Sequence, residues 1–325
     1  MFNENVNVHI ELTDKCNALC SMCGRQYIEN GELKKVPTFD KNELSITEIR
    51  NIFDNRFFEK FNLNRINFCG NISDPITSMD LCSTIEYLKP HCKRIDIATN
   101  GSLRTPKYFK NLANILKGID HRVTFALDGL EDTHSYYRIN TSFNKVIKNA
   151  KAFIDAGGNA RWQFIIFNHN KHQIDTAKKM SKELGFNEFV SIRTQRFARA
   201  DEWTFIHKNK KYKLEEPDNS LSFEVSGDVK CKAKKDNEFY LDYQGNVHMC
   251  CYLGGSYLKK RFDQNEDAIL EWYDDKKNNA IQNDLSDILL NSEFFKHLQN
   301  SWSVLPSTSC KRFCSKKNLR KKLYD

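Results

Sequence analysis

The sequence lacks the features that would place a chain in a membrane, in an export pathway or among repeat proteins. No run of about eighteen apolar residues occurs, so no transmembrane helix is expected. The opening Met1-Phe2-Asn3-Glu4-Asn5 carries neither the basic region nor the apolar stretch of a secretory signal, which leaves the cytoplasm as the expected compartment. There is no internal repeat and no low-complexity stretch. Disulfide bonding cannot account for all eleven cysteines, an odd number better kept as thiols or cluster ligands in a reducing compartment. Charge is not of one sign: 50 basic and 42 acidic residues leave a net +8, and part of the excess lies in Lys311-Arg312, Lys316-Lys317 and Arg320-Lys321-Lys322. Few aromatics interleave that tail, so it reads as a solvated helix end rather than as a nucleic-acid surface. With 325 residues the chain is long enough for one large core or for two unequal domains.

From residue 6 to about residue 195, short apolar runs alternate with amphipathic stretches. The pattern predicts strands over Val6–Leu12, Arg65–Cys69, Arg94–Thr99, Arg122–Leu127, Arg161–Phe167 and Phe189–Arg193. It predicts helices over Ile46–Phe58, Ser78–Leu88, Pro106–Leu116, Phe143–Ala156 and Ile174–Leu184, where apolar residues recur at spacings of three and four. Strands alternating with helices imply an α/β fold with parallel strands and right-handed crossovers, either an open twisted sheet or a partial barrel. Chemistry in such folds sits at the C-terminal ends of the strands. Beyond residue 200 the rhythm breaks. Lys208–Glu216 is charged and reads as a connector or surface loop, Phe239–Met249 as a β-hairpin around Gln244-Gly245-Asn246, and Ser286–Asn300 as a helix.

The most constraining feature is Cys16-Asn-Ala-Leu-Cys20-Ser-Met-Cys23, three thiols on the loop that leaves the first strand. Three thiolates this close, without a fourth nearby, suit three corners of a cubane iron–sulfur cluster and leave one iron open to an outside ligand. A closed zinc site normally takes four protein ligands, which an isolated triplet does not supply.

The Cys-x3-Cys-x2-Cys spacing resembles the signature of the radical S-adenosylmethionine (SAM) superfamily. That resemblance implies a partial (βα)6 TIM-like barrel over residues 1–200, with the cluster loop after the first strand. It further implies a catalytic 4Fe–4S cluster on Cys16, Cys20 and Cys23 whose open iron chelates SAM, and reductive cleavage of SAM to a 5′-deoxyadenosyl radical. Phe68-Cys-Gly70-Asn71-Ile-Ser-Asp74-Pro75 resembles the family's Gly-Gly-Glu loop, which holds the SAM amino group; Asn71 replaces the second glycine and Asp74 is the polar counterpart of the glutamate. Thr99-Asn100-Gly101 and Ala126-Leu-Asp128-Gly129, followed by His134 and Tyr137-Arg138, resemble turns of anaerobic sulfatase maturases and peptide-modifying relatives. Ala126 stands where those relatives carry serine, so the resemblance assigns SAM contacts to Asp128 and Arg138, the guanidinium suiting a carboxylate. Gln163 and Arg193, on the fifth and sixth strands, point into a barrel expected to be otherwise apolar, where each pairs either with a neighbour or with cofactor or substrate. No catalytic residue beyond the cofactor contacts can be assigned from the sequence.

Cys231, Gly245 and Cys250 match the opening pattern of the family's SPASM and twitch extensions, and Cys310-x3-Cys314 follows. The resemblance implies a small α+β auxiliary domain over residues 231–325 behind a connector at 201–230. Its cysteines suit the shorter twitch type, with a second 4Fe–4S cluster on Cys231, Cys250, Cys310 and Cys314. Cys251 competes with Cys250, because neighbouring strand residues face opposite ways, and zinc is the alternative for this quartet. Cys69, Cys82 and Cys92 read as core or surface thiols. An external electron donor such as flavodoxin or ferredoxin is implied. Four cysteine ligands leave no open auxiliary iron, which favours net oxidation or cross-linking of a peptide or protein over isomerisation; oxidation of a small or nucleotide-derived molecule is the alternative. No N-terminal peptide-binding module fits before the first strand. Outside catalysis, the competing reading is an iron–sulfur or zinc protein in electron transfer or sensing.

Overall fold

The structure, a computed structural model, describes residues 2–194, 196–197, 202–217, 228–260 and 268–315; the basic run from Lys316 lies outside the described residues. Twelve strands form two sheets among the described residues: β1 (Asn5–Ile10), β2 (Gln26–Glu29), β3 (Glu32–Lys35), β4 (Asn62–Phe68), β5 (Cys92–Thr99), β6 (Asp120–Ala126), β7 (Ala160–Ile166), β8 (Glu188–Arg193), β9 (Glu202–His207), β10 (Lys210–Glu215), β11 (Glu238–Leu241) and β12 (Val247–His248). The main sheet runs β12-β11-β1-β4-β5-β6-β7-β8, and β1 and β4 through β8 pair in parallel in chain order. Helices Leu81–Leu88, Pro106–Ile115, Phe143–Asp155 and Ile174–Glu183 fill the crossovers. This is an α/β fold with a parallel sheet, of the partial-barrel kind expected from the sequence.

Alternation within each strand divides the side chains between two environments. Val6, Val8, Ile10, Ile66, Ile95, Ile97, Val123, Phe125, Trp162 and Phe164 join the continuous core with the buried residues of the crossover helices. The opposite, concave face is not the apolar filling that the sequence suggested. At its N-terminal end Arg65 pairs with Glu238 at 2.9 Å, Arg94 with Asp96 and Asp120 at 2.9 and 2.6 Å, and Arg161 with Glu188 at 2.7 Å. Arg122 lies 3.6 Å from Asp96 and 3.5 Å from Glu188. Charged side chains are retained in such a place only when paired. The main apolar core therefore lies on the outer face, while on the concave face Ile165 and Ile192 join a smaller apolar cluster toward the strand ends.

Two expected helices are each broken in two. Ile46–Phe58 becomes Ile46–Ile52 and Asn55–Lys60, because the Asp54 carboxylate accepts from the Phe57 amide and caps a new start. Ser286–Asn300 becomes Leu285–Asn291 and Glu293–Ser301, parted where Ser292 takes an extended ψ of 120°. Residues 208–216, read as a connector or loop, contain a strand instead. Lys208 and Asn209 take φ of 48° and 61°, as a two-residue hairpin turn requires, and join β9 to β10. That hairpin continues β2 and β3 into a second sheet of order β10-β9-β3-β2. The segment after Cys231 adds its own strand to the barrel sheet, β11 pairing in parallel with β1 so that Tyr240 stands opposite His9.

Candidate functional site

Cys16, Cys20 and Cys23 line a cavity of about 210 Å³ at the C-terminal ends of the parallel strands. Gly70, Asn71, Asp74, Asn100, Arg138 and Gln163 line the same cavity. Ala98, Thr124 and Ala126 give it small walls. The sequence-predicted residues therefore converge, with two exceptions. Asp128 sits beneath Arg138 rather than in the wall, and Arg193, the last residue of β8, is not among the lining residues.

The loop Gly70–Asp74 is held by groups from three strands. Glu11, a buried carboxylate just past β1, accepts from the Ile72 and Ser73 amides at 2.9 Å each, from the Ser73 hydroxyl at 2.7 Å and from the Tyr240 hydroxyl. Asp74 accepts from the Thr99 hydroxyl at 2.8 Å and from the Asn100 amide at 2.6 Å, joining the loops after β4 and β5. Burial raises the Asp74 carboxyl above its ordinary range, against these hydrogen bonds. Glycine is required at position 70: a Cβ there would stand 2.2 Å from the Ser73 carbonyl oxygen. The Asp74 amide in turn donates to the Lys15 carbonyl at 3.0 Å, tying this loop to the thiol loop.

A charged chain leads from the core to the thiols. Asp128 is fully buried and accepts from the Ile165 amide and from Arg138 Nε, both at 2.6 Å. Arg138 Nη1 points at Cys20 Sγ from 3.6 Å, and Asn100 Nδ2 at Cys16 Sγ from 3.8 Å. Burial works against the Arg138 charge, but Asp128, Cys20 and Tyr137 together more than offset it, so the guanidinium titrates well above its ordinary value. Burial raises the Cys16 and Cys20 thiols, in Cys16 reinforced by Asp74 and in Cys20 opposed by Arg138. Thiols desolvated in this way, beside cations and amide donors, gain most from a metal that replaces their protons.

Three residues of this site escaped the sequence reading. Arg196, in the loop after β8, lines the cavity and donates to the Tyr137 hydroxyl at 2.5 Å. Two arginines flank that strand end and no spacing rule chooses between them. Glu11 is a lone acid in the run His9-Ile10-Glu11-Leu12, two residues beyond His9 and so on the same face, a signal that was available. Cys69, read as a bland thiol, lines the cavity, and burial pushes it up to about 12.

A second thiol cluster lies beyond β11. Cys231, Cys250, Cys310 and Cys314 line one small pocket with Trp302, Phe313 and other apolar groups, and Cys251 does not. Cys231 and Cys314 share a hydrogen bond that favours the Cys314 thiolate, helped by the Lys232 amide and charge. Among the described residues no three His, Cys, Asp or Glu side chains meet the spacing for a single chelated ion. Both thiol sets fit an iron–sulfur cluster by the softness of their donors and by their convergence on one cavity each.

Comparison with known proteins accords with this arrangement. The model of the radical SAM superfamily matches residues 10–181, and the chain belongs to that superfamily. Membership implies an enzyme that uses a 4Fe–4S cluster and SAM. Among curated proteins, the chain is 28% identical over 123 residues to the tungsten-containing aldehyde ferredoxin oxidoreductase cofactor-modifying protein of Pyrococcus furiosus, covering 38% of this chain and 31% of that one. It is 31% identical over 150 residues to the probable GTP 3′,8-cyclase of Pyrococcus horikoshii, covering 45% and 42%. The matches thus span less than half of these relatives. Among solved structures, SuiB of Streptococcus suis bound to S-adenosylmethionine superposes with a TM-score of 0.58 at 14% identity, over 92% of this chain and 68% of that one. The anSMEcpe structure with bound AdoMet gives 0.56 at 13%, over 92% and 81%. At such identity these two show a shared fold. Among the described residues no helix is long and apolar enough to cross a membrane.

Proposed function

We propose that this chain is a radical SAM enzyme of the twitch or SPASM-like kind that oxidises or otherwise modifies a peptide or protein. The observation that carries the proposal is the convergence of Cys16, Cys20 and Cys23 with Asp74, Asn100, Arg138 and Gln163 on one cavity. When bound, a reduced 4Fe–4S cluster and SAM supply a 5′-deoxyadenosyl radical that takes a hydrogen atom from the substrate.

The protein's own residues bind, orient and exclude. Cys16, Cys20 and Cys23 would hold three irons of the catalytic cluster. Arg138, fixed by Asp128 and with Nη1 beside Cys20 Sγ, would supply the guanidinium that holds the SAM carboxylate, and Arg196 adds a second cation to the same wall. The Gly70–Asp74 backbone and Asn100 would hold the SAM amino group and ribose, and Gln163 offers an amide from the cavity wall. The small side chains Ala98 and Ala126 leave room for the cofactor, and the second sheet packs on Tyr136, Tyr137 and Phe167, keeping water from that flank. Cys231, Cys250, Cys310 and Cys314 would hold an auxiliary 4Fe–4S cluster through all four thiolates, and such a cluster would supply an electron acceptor for a net oxidation. The electron donor is external, of the flavodoxin or ferredoxin type, and the setting is a reducing cytoplasm.

Two observations support a peptide substrate. Strand β2 begins three residues beyond Cys23, and among the described residues it pairs only with β3, leaving an edge beside the cluster loop to which an extended chain can add. Two chains of the same fold are described with peptides, SuiB with precursor peptide SuiA and anSMEcpe with Cp18Cys peptide. A nucleotide-derived small molecule is the second reading, favoured by the likeness to the probable GTP 3′,8-cyclase.

The test is anaerobic reconstitution of wild type and of the Cys16→Ala/Cys20→Ala/Cys23→Ala variant, followed by iron analysis and dithionite-dependent 5′-deoxyadenosine formation. The expected result is about eight irons per wild-type chain and about four per variant, from two four-iron clusters, with nucleoside from wild type alone. Fully loaded wild type that neither binds SAM nor releases nucleoside points instead to a non-catalytic iron–sulfur or zinc protein.

A further inference from the structure

The four-thiol pocket is closed on its outer side by two short segments. One is residues 230–235, Lys-Cys-Lys-Ala-Lys-Lys; the other is the helix Thr308–Cys314. They are joined where the Lys230 amide donates to the Cys314 carbonyl at 2.9 Å, and within the first segment the Lys234 amide donates to Cys231 Sγ at 3.5 Å. Cys231 and Cys314 remain half-buried beneath them.

These segments carry Lys230, Lys232, Lys234, Lys235, Lys311 and Arg312. Among the described residues, none of the five lysines has a carboxylate within ion-pair distance. Lys234 instead donates to Gln299 Oε1 at 3.2 Å and lies 5.6 Å from the centre of the Trp302 ring, which lines the thiol pocket. Asp228 and Asp236 stand only at the two ends of the first segment. The contrast with the barrel is informative, since Arg65, Arg94, Arg122 and Arg161 each face a carboxylate there. Five lysines on one surface with no described carboxylate in reach repel each other and attract a partner of opposite sign. Val304 and Leu305, 84% and 69% exposed, precede the helix and add the apolar patch that protein interfaces combine with a charged rim.

What lies beneath decides the kind of partner. Four soft donors at a shallow depth suit a redox centre reached from outside. On the inner side of the pocket, Cys250 adjoins Cys251, whose carbonyl accepts from Asn71 Nδ2 of the catalytic cavity at 2.7 Å. We infer that the surface formed by residues 230–235 and Thr308–Cys314 docks an acidic one-electron carrier protein, which exchanges electrons with the enzyme through the thiol site below. The inference rests on the auxiliary-cluster reading above. In each exchange the reduced carrier loses one electron and the cluster on Cys231, Cys250, Cys310 and Cys314 gains it, or the reverse; no bond is made or broken.

The test uses the reconstituted holoenzyme and a flavodoxin as the probe. The variant Lys230→Glu/Lys235→Glu/Lys311→Glu changes exposed side chains outside both thiol sites, and Lys208→Glu/Lys211→Glu on the β9–β10 turn serves as a charge control. Measured are the flavodoxin dissociation constant, the second-order rate of electron transfer from its reduced form, and the rate with dithionite. The triple variant is expected to lose about tenfold or more in affinity and transfer rate at low salt, with wild type losing a similar amount as salt is raised. Iron content and the dithionite rate stay unchanged, and the control behaves as wild type. Transfer by the triple variant within twofold of wild type, or an equal loss in the control, overturns the docking face alone. So does unchanged transfer accompanied by lost binding of an acidic peptide or an RNA, which would give the surface a different occupant. Wild type that binds four irons rather than eight overturns the auxiliary-cluster reading and the docking face with it.

Discussion

Replacing Asp128 by asparagine tests whether the buried Asp128–Arg138 pair is the support of the site. Asp128 uses one oxygen for the Ile165 amide and the other for Arg138 Nε, each at 2.6 Å. An asparagine keeps one acceptor and turns an N–H against the other donor, leaving the guanidinium buried without its counter-charge. Breaking a buried pair by removing one partner costs about 3–5 kcal/mol, whereas replacing both partners is often close to neutral. Asp128→Asn is therefore expected to lower the unfolding free energy of the cluster-free protein by about 3–5 kcal/mol. Asp128→Asn/Arg138→Met should recover part of that loss, because the stranded charge is gone. Both should bind SAM at least about tenfold more weakly after reconstitution, a difference of about 1.4 kcal/mol. Urea denaturation under anaerobic, reducing conditions gives the first quantity and equilibrium dialysis with labelled SAM the second. A cost below about 1 kcal/mol for Asp128→Asn, or strictly additive effects of the two substitutions, refutes the reasoning.

Gly70→Ala drives a Cβ to 2.2 Å from the Ser73 carbonyl oxygen in a loop held by Glu11; the loop must shift, at about 1–3 kcal/mol, and SAM affinity should drop while iron content, measured on the same sample, does not. His134 is buried against the Asp128 amide and the Thr141 hydroxyl, and burial, with the Arg138 charge, holds it down to about 3. Because the unfolded histidine takes a proton near pH 6.5 and the folded one does not, stability falls as the pH drops from about 6.5 toward 3. That is about 2 kcal/mol lost by pH 5, a slope that His134→Asn should flatten in denaturation curves taken at each pH. Cys250→Ser should remove about four irons, one cluster, and Cys251→Ser none, since only Cys250 faces the thiol pocket; equal losses on elemental analysis would reverse that assignment.

The parallel strands were legible because their outer faces are rich in Val, Ile and large apolar side chains, and the thiol loop because its spacing admits few other uses. The helix Phe143–Asp155 ends at Gly157, whose φ of 89° explains the pair of glycines there. Less legible was the second sheet. Its first hairpin turns at Asn30-Gly31, with φ of 52° and 82°, an Asn-Gly signal that was present but flanked by strands of four residues too charged to read as buried. Sequence alternation also could not reveal the polar concave face. Arg65, Arg94, Arg122 and Arg161 look like strand-start surface residues, and only the strand register, which sets Arg122 beside Asp96 and Arg161 beside Glu188 and puts Arg65 and Glu238 on either side of Asn7, shows them paired. Arg196, which no motif marks, joins the cavity from the loop after β8.

The two thiol sites are mechanically joined by the loop between them. Because β11 lies beside β1, Tyr240 reaches Glu11, and Glu11 holds the Ile72 and Ser73 amides. One residue before Ile72, Asn71 binds the Cys251 carbonyl. The Gly70–Asp74 loop is thus gripped on one side by the barrel and on the other by the segment that carries Cys250. A buried carboxylate with several donors is costly to disturb in part, since each freed donor or acceptor keeps its full desolvation penalty. The position of this loop is consequently set by both halves of the chain together. Any rearrangement of the segment after Cys231 must either break the Tyr240 and Asn71 contacts or move the loop that lines the catalytic cavity.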